Sequence, residues 1–268
     1  MFMVKSFLFL IAIGLLIVVY VRYLEAKSVF FPYKGLDGDP SLMQLTYEDI
    51  FIKTADNVDL HGWFIPYPGS KFTMLYCHGN GGNITTRLEK LLIMHQLQIN
   101  VFAIDYRGYG RSKGVPTESG VYLDVKSAYD YLIHKLNLHP DNIILYGESL
   151  GGAIIVDLAS KVEVGALILE GTFSSGKDIG KIIYPFIPKI FIPNAYDSLK
   201  KIRDIRKPKL FIHSQIDKVI PFKLGEKLYE ASLEPKKFIP IVGAHGTAFI
   251  ESQYETTKEI TQFIDNLK

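Results

Sequence analysis

Cysteine is almost missing from this chain. Cys77 stands alone, which excludes an intramolecular disulfide and any cysteine metal cluster. It closes the apolar run of residues 72–77, so a buried small hydrophobe is its expected role. His78 has no second histidine at ligand spacing, and no metal site is expected. Charge of one sign is not in excess either. Thirty lysines and arginines face 28 acidic residues, and the resulting +2 argues against nucleic acid as a partner. Internal repeats are absent. So are the phosphate-binding signatures. The glycine-rich stretch 77–83 (CHGNGGN) lacks the lysine and hydroxyl of a P-loop. In the loop of residues 108–114 (GYGRSKG) the third glycine comes one residue late for a dinucleotide fingerprint.

What is present is apolar. Hydrophobic residues make up 48% of the 268, enough for one large α/β domain. After Ser6, residues 7–21 (FLFLIAIGLLIVVYV) carry no charge. With residues 1–4, interrupted only by Lys5, the run reaches the roughly 20 residues that span a bilayer. Bulky and charged residues follow it, where a cleaved signal needs small ones. One uncleaved N-terminal transmembrane helix is therefore expected over residues 1–24, making the chain a single-pass membrane protein. Lys5 flanks one end of the run and Arg22 and Lys27 the other, so charge selects neither side of the membrane. Residues 25–45, rich in Gly, Pro and Asp, read as a linker, and residues 46–268 as the domain.

Within the domain, residues 46–53 and 59–66 read as two strands joined by a turn at 55–57. Short apolar runs then alternate with helical stretches. The runs are 72–77, 100–104, 142–146, 166–169, 209–213 and 238–242. The helices are expected at 87–96, 120–135, 152–161, 224–233 and 252–267. Such alternation implies a mostly parallel central sheet with helices on both faces and the antiparallel pair at one edge. Residues 182–193 break the pattern, being strongly apolar but cut by prolines that forbid a long helix. An insertion at about 176–199 is expected to cap the carboxyl edge of the sheet, where open α/β sheets bind ligands. Its Phe186, Ile187 and Phe191 are expected to touch substrate.

Gly147-Glu148-Ser149-Leu150-Gly151 lies between an apolar strand and a helix. In that context G-x-S-x-G marks a nucleophile elbow, a turn so tight that only glycines let strand and helix pass. A serine needs a base and an orienting acid. His245, in a small-residue loop after the last apolar run, suits the base. Asp217, after the penultimate run, suits the acid, with Glu170 in reserve. Serine, then acid, then histidine is the α/β-hydrolase order. The loop after Cys77 would supply one oxyanion-hole donor through the Asn80 backbone N–H, and the residue after the nucleophile, Leu150, the other. Glu148 reads as structural, and Asp105 and Arg107 as scaffold at the rim.

These motifs together, residues 78–83 (HGNGGN), 105–112 (DYRGYGRS), 147–152 (GESLGG), the Asp217 loop and 243–245 (GAH), resemble the Bem46-like group of membrane-anchored α/β-hydrolases. The likeness runs from about Phe30 to the C-terminus. It implies an α/β-hydrolase fold and a Ser149–Asp217–His245 hydrolase needing no metal or organic cofactor. It does not choose a substrate. The expected activity is hydrolysis of an ester or thioester, with a small-molecule, lipid or acylated substrate and with membrane lipid met through the N-terminal helix. Two alternatives stand beside it. One is a serine peptidase or aminopeptidase on the same residues. The other is a non-catalytic, membrane-tethered binding protein on a hydrolase scaffold.

Overall fold

The computed structural model describes residues 29–188, 190 and 192–267, together with Ser6, Phe9, Gly14, Leu16 and Tyr20. But for those five positions, the anchor expected over residues 1–24 lies outside the described residues. Among the described residues no helix is long and apolar enough to cross a membrane.

The strands are β1 (Phe31–Pro32), β2 (Glu48–Lys53), β3 (Asp59–Ile65), β4 (Thr73–Cys77), β5 (Gly81–Gly82), β6 (Asn100–Asp105), β7 (Ile143–Glu148), β8 (Ala166–Glu170), β9 (Lys209–Ser214) and β10 (Lys236–Ile241). Eight form one sheet in the order β10-β9-β8-β7-β4-β6-β3-β2. β3 runs antiparallel to β6 and β2 antiparallel to β3, and the other pairs are parallel. The central strands are buried along their length, as helices on both faces require. Period-two alternation divides their side chains between two cores. Leu75, Cys77, Leu145 and Leu169 pack with Val125 of helix Glu118–His134, Ile154 of helix Leu150–Ala159 and Leu228 of helix Phe222–Ala231. Met74, Tyr76, Tyr146 and Ile168 pack on the other face with Leu91 of helix Leu88–Gln96 and Ile260 of helix Gln253–Asp265.

The stretch expected as a linker joins the two cores through Val29, Phe30, Leu36, Met43 and Leu45. Phe30 is buried in the first core. β1 pairs with β5 in the loop after β4, and the Phe31 N–H donates to the Asn80 carbonyl at 3.0 Å. The N-terminal segment of the domain therefore braces the glycine loop that borders the site. Arg107 is held between Asp56 (2.7 Å) and Asp124 (2.8 Å), in keeping with a scaffold role at the rim.

Candidate active site

The carboxyl ends of β4, β7, β9 and β10 carry the four loops that converge. The elbow comes first. Ser149 sits at φ 53°, ψ −112°, a sparsely populated backbone region that costs about 1–3 kcal/mol. Its neighbours hold it there. The Ser149 N–H donates to the Glu170 carbonyl (2.8 Å), and the Ser149 carbonyl accepts from the Gly152 N–H (3.0 Å) and the Thr172 hydroxyl (2.9 Å). The turn admits no side chain at two points. A Cβ on Gly147 would come within 2.5 Å of Gly152, and one on Gly151 within 2.0 Å of the Cys77 carbonyl oxygen.

His245 Nε2 lies 3.0 Å from Ser149 Oγ, and His245 Nδ1 lies 2.6 Å from Asp217 Oδ2. An ionised carboxylate only accepts, so Nδ1 carries the hydrogen and Nε2 is left to accept from the serine hydroxyl. The other Asp217 oxygen accepts from the Val219 and Ile220 N–H groups at 2.8 Å each. The Ile220 carbonyl accepts in turn from the buried His213 (2.8 Å), which fixes the loop. Burial alone would raise the Asp217 carboxyl. The hydrogen bond and charge of His245 and the two backbone donors outweigh it and hold the group below its ordinary value.

Asn80 and Leu150 line the same cavity as Ser149. Leu150 is the first residue of its helix, where the N–H has no intrahelical acceptor. The Asn80 N–H belongs to the Gly79–Asn80 peptide, whose carbonyl accepts from His78 Nδ1 at 2.7 Å. In a trans peptide the N–H points opposite to the C=O, so the buried His78 ring sets the direction of the Asn80 donor. The Asn80 carbonyl is fixed too, by the Tyr109 hydroxyl at 2.7 Å.

The Glu170 carboxylate is engaged elsewhere than at His245. It accepts from Lys90 at 2.9 Å on each oxygen and from the Tyr146 hydroxyl. Lys90 also reaches Glu148 (3.1 Å), which pairs with Arg87 (3.0 Å). A buried cluster thus joins the residue before the nucleophile to the residue whose carbonyl holds the nucleophile's N–H. Burial works against charge on Lys90 and Glu148, but their mutual attraction prevails, raising the ammonium and lowering the carboxyl. The sequence reading missed Lys90, because a helical lysine ordinarily faces water.

Removing the ammonium in Lys90→Met should therefore cost about 3–5 kcal/mol and lower Tm by roughly 10 °C. In wild type the lowered Glu148 carboxyl stabilises the fold above its unfolded value of 4.5 and loses that contribution as pH falls further. In the variant Glu148 keeps Arg87 but loses the Lys90 ammonium, so it has less of that contribution to lose. The gap in Tm between the two proteins should hold from neutral pH down to 4.5 and narrow as the pH falls below it, which thermal melts across pH would show. A pH-independent gap would mean the cluster is not charged.

An apolar cavity of about 220 Å³ opens beside Ser149. Ile179 and Ile183, four residues apart on helix Gly176–Ile183, line one wall, and Ile187 joins them from the turn beyond. The spacing of Ile179 and Ile183 was legible in the sequence and would have found those two. Of the expected contacts, Ile187 lines the cavity and Phe191 lies outside the described residues. Phe186 does not line it and is 96% exposed. The Ile187 N–H donates to the Tyr184 carbonyl (3.1 Å), so Pro185 and Phe186 form the crest of a tight turn. The turn swings Ile187 back to the wall and leaves Phe186 outward.

Comparison with known proteins agrees with this architecture. The family model described as "Serine aminopeptidase, S33" matches residues 69–196. Rv2307c of Mycobacterium tuberculosis is 32% identical over 237 residues, covering 87% of this chain and 84% of its own. Protein bem46 of Schizosaccharomyces pombe is 35% identical over 228 residues, covering 79% of this chain and 74% of its own. Among solved structures, the esterase Pf2001 of Pyrococcus furiosus superposes with a TM-score of 0.74 at 21% identity, over 88% of this chain and 98% of its own. At that identity the likeness is one of fold.

Proposed function

The chain belongs to the α/β-hydrolase family, and from that membership we propose that it is a serine hydrolase cleaving an ester or thioester with an acyl chain. The observation that carries the reading is the line of contacts from Asp217 through His245 to Ser149, at 2.6 and 3.0 Å, beside an apolar cavity. Ser149 Oγ attacks the carbonyl carbon while His245 Nε2 takes its proton. The Leu150 and Asn80 N–H groups receive the oxyanion. The tetrahedral species collapses and the leaving alcohol or thiol takes the proton from His245. Water, deprotonated by the same nitrogen, then releases the acid. Asp217 keeps the tautomer and offsets the imidazolium charge. We also read the uncharged run of residues 7–21 as a membrane anchor, so that the full chain withstands carbonate extraction.

The aminopeptidase reading, suggested by the description of the family model, needs an acidic group to hold a substrate amine. Among the described residues lining the cavity there is no carboxylate, and this favours the acyl ester. A series of p-nitrophenyl esters of rising chain length, run beside aminoacyl amides, is the test. Each methylene buried contributes up to about 0.8 kcal/mol, so kcat/KM should rise by about three- to fourfold per methylene until the cavity is full. Ile187→Asp should flatten that rise while acetyl-ester turnover persists. A flat profile in wild type, or faster cleavage of aminoacyl amides, would overturn the acyl assignment.

A further inference from the structure

The outer side of the cavity wall is as apolar as the inner. Ile182, Ile183, Phe186 and Ile190 are 38%, 58%, 96% and 82% exposed. Ile183 also lines the cavity, so the exposed patch is continuous with its mouth. Lys181 donates to the Pro185 and Ile187 carbonyls at 2.7 and 3.3 Å, which braces the crest and leaves a cation beside it. An apolar crest flanked by a cation is the composition of segments that lie in a membrane interface.

The entry of the chain says which surface would cover it. Val29 lines the same cavity. Only residues 22–28 separate it from Val21, the end of the uncharged run, and that link can reach no more than about 29 Å when fully extended. A bilayer holding residues 7–21 is thereby kept close to the cavity mouth and the crest. We propose that Ile182, Ile183, Phe186 and Ile190 dock into the surface of that bilayer. The cavity then opens onto the membrane and admits an acyl ester or thioester whose chain already lies there. The inference rests on the anchor and on the serine-hydrolase reading, and it adds where the substrate comes from.

The test uses the full chain in phosphatidylcholine vesicles. Cys77 is buried and burial pushes its thiol up, so it is inert to labelling and a new cysteine can be modified selectively. An environment-sensitive fluorophore on Phe186→Cys should be quenched by doxyl-labelled lipid. The same fluorophore on His139→Cys should not, since His139 precedes β7 at the opposite edge of the sheet. In a second arm, the Phe186→Ser and Ile190→Ser double variant keeps every residue of the cavity lining. It should hydrolyse a soluble acetyl ester like wild type but lose at least about tenfold on a long-chain ester embedded in the vesicle.

An unquenched label at 186 on vesicle-bound protein overturns docking, as does disulfide-linked dimer through Phe186→Cys, which would make the crest a contact between copies. Equal rates of the double variant and wild type on the embedded ester overturn it too. Failure of wild type to hydrolyse either ester would instead remove the hydrolase reading, and the quenching arm would still decide whether the crest enters the bilayer.

Discussion

Ser149→Ala should abolish ester hydrolysis and labelling by a fluorophosphonate while the protein melts as wild type does. The hydroxyl is 3.0 Å from His245 Nε2, and its other value to the fold is small. What holds the turn is backbone: the Ser149 N–H on the Glu170 carbonyl, and the Ser149 carbonyl on Gly152 and Thr172. Alanine keeps all three, and its Cβ occupies the strained φ that serine already occupies. His245→Ala should lose nearly as much, on the order of 10³-fold or more in kcat, and the double variant little beyond that, because the groups act as one unit. Independent losses that multiply in the double variant would mean that histidine and serine do not share a proton. Full labelling of Ser149→Ala would place the nucleophile elsewhere.

That the elbow was readable from sequence has a local cause. Strand, turn and helix adjoin in the chain, and steric exclusion at Gly147 and Gly151 writes itself into residue type. The parallel sheet was readable because its buried strands are continuous apolar runs bounded by turns. Helix Glu118–His134 starts two residues before the expected 120, since the Thr117 hydroxyl caps it by accepting from the Gly120 N–H, a signal that was present and unused. β1 and β5 were beyond reach, because two-residue strands carry no period. The same holds for the crest. In a run of isoleucines, phenylalanines and prolines whose single charge is Lys189, too few polar positions mark the outward face, so composition could not separate Phe186 from Ile187. The choice of Asp217 over Glu170 was open in sequence, both lying at strand ends. It is Lys90, far away in the chain, that engages Glu170.

Asp217→Asn should lower kcat by a large factor, though less than His245→Ala does, with little change in KM, and the geometry says why the amide cannot substitute. One carboxylate oxygen accepts from the Val219 and Ile220 N–H groups and the other from His245. An asparagine must turn its oxygen toward the two fixed backbone donors, since they can only donate. Its NH₂ then faces His245 Nδ1 and forces that nitrogen to accept. The ring hydrogen moves to Nε2, and the serine hydroxyl loses its acceptor. Glu170→Gln should leave kcat within a few-fold and lower stability instead, because its partners are Lys90 and Tyr146. The pH dependence separates the two further. The Asp217 carboxyl titrates below its ordinary 3.8, so it is ionised throughout the range above that value. Its stabilising contribution is complete there and is lost only as pH falls through the lowered folded value. The stability difference between wild type and Asp217→Asn should accordingly be constant from neutral pH down to about 5 and shrink only in stronger acid. A loss of kcat in Glu170→Gln that exceeds the loss in Asp217→Asn would assign the orienting acid to β8.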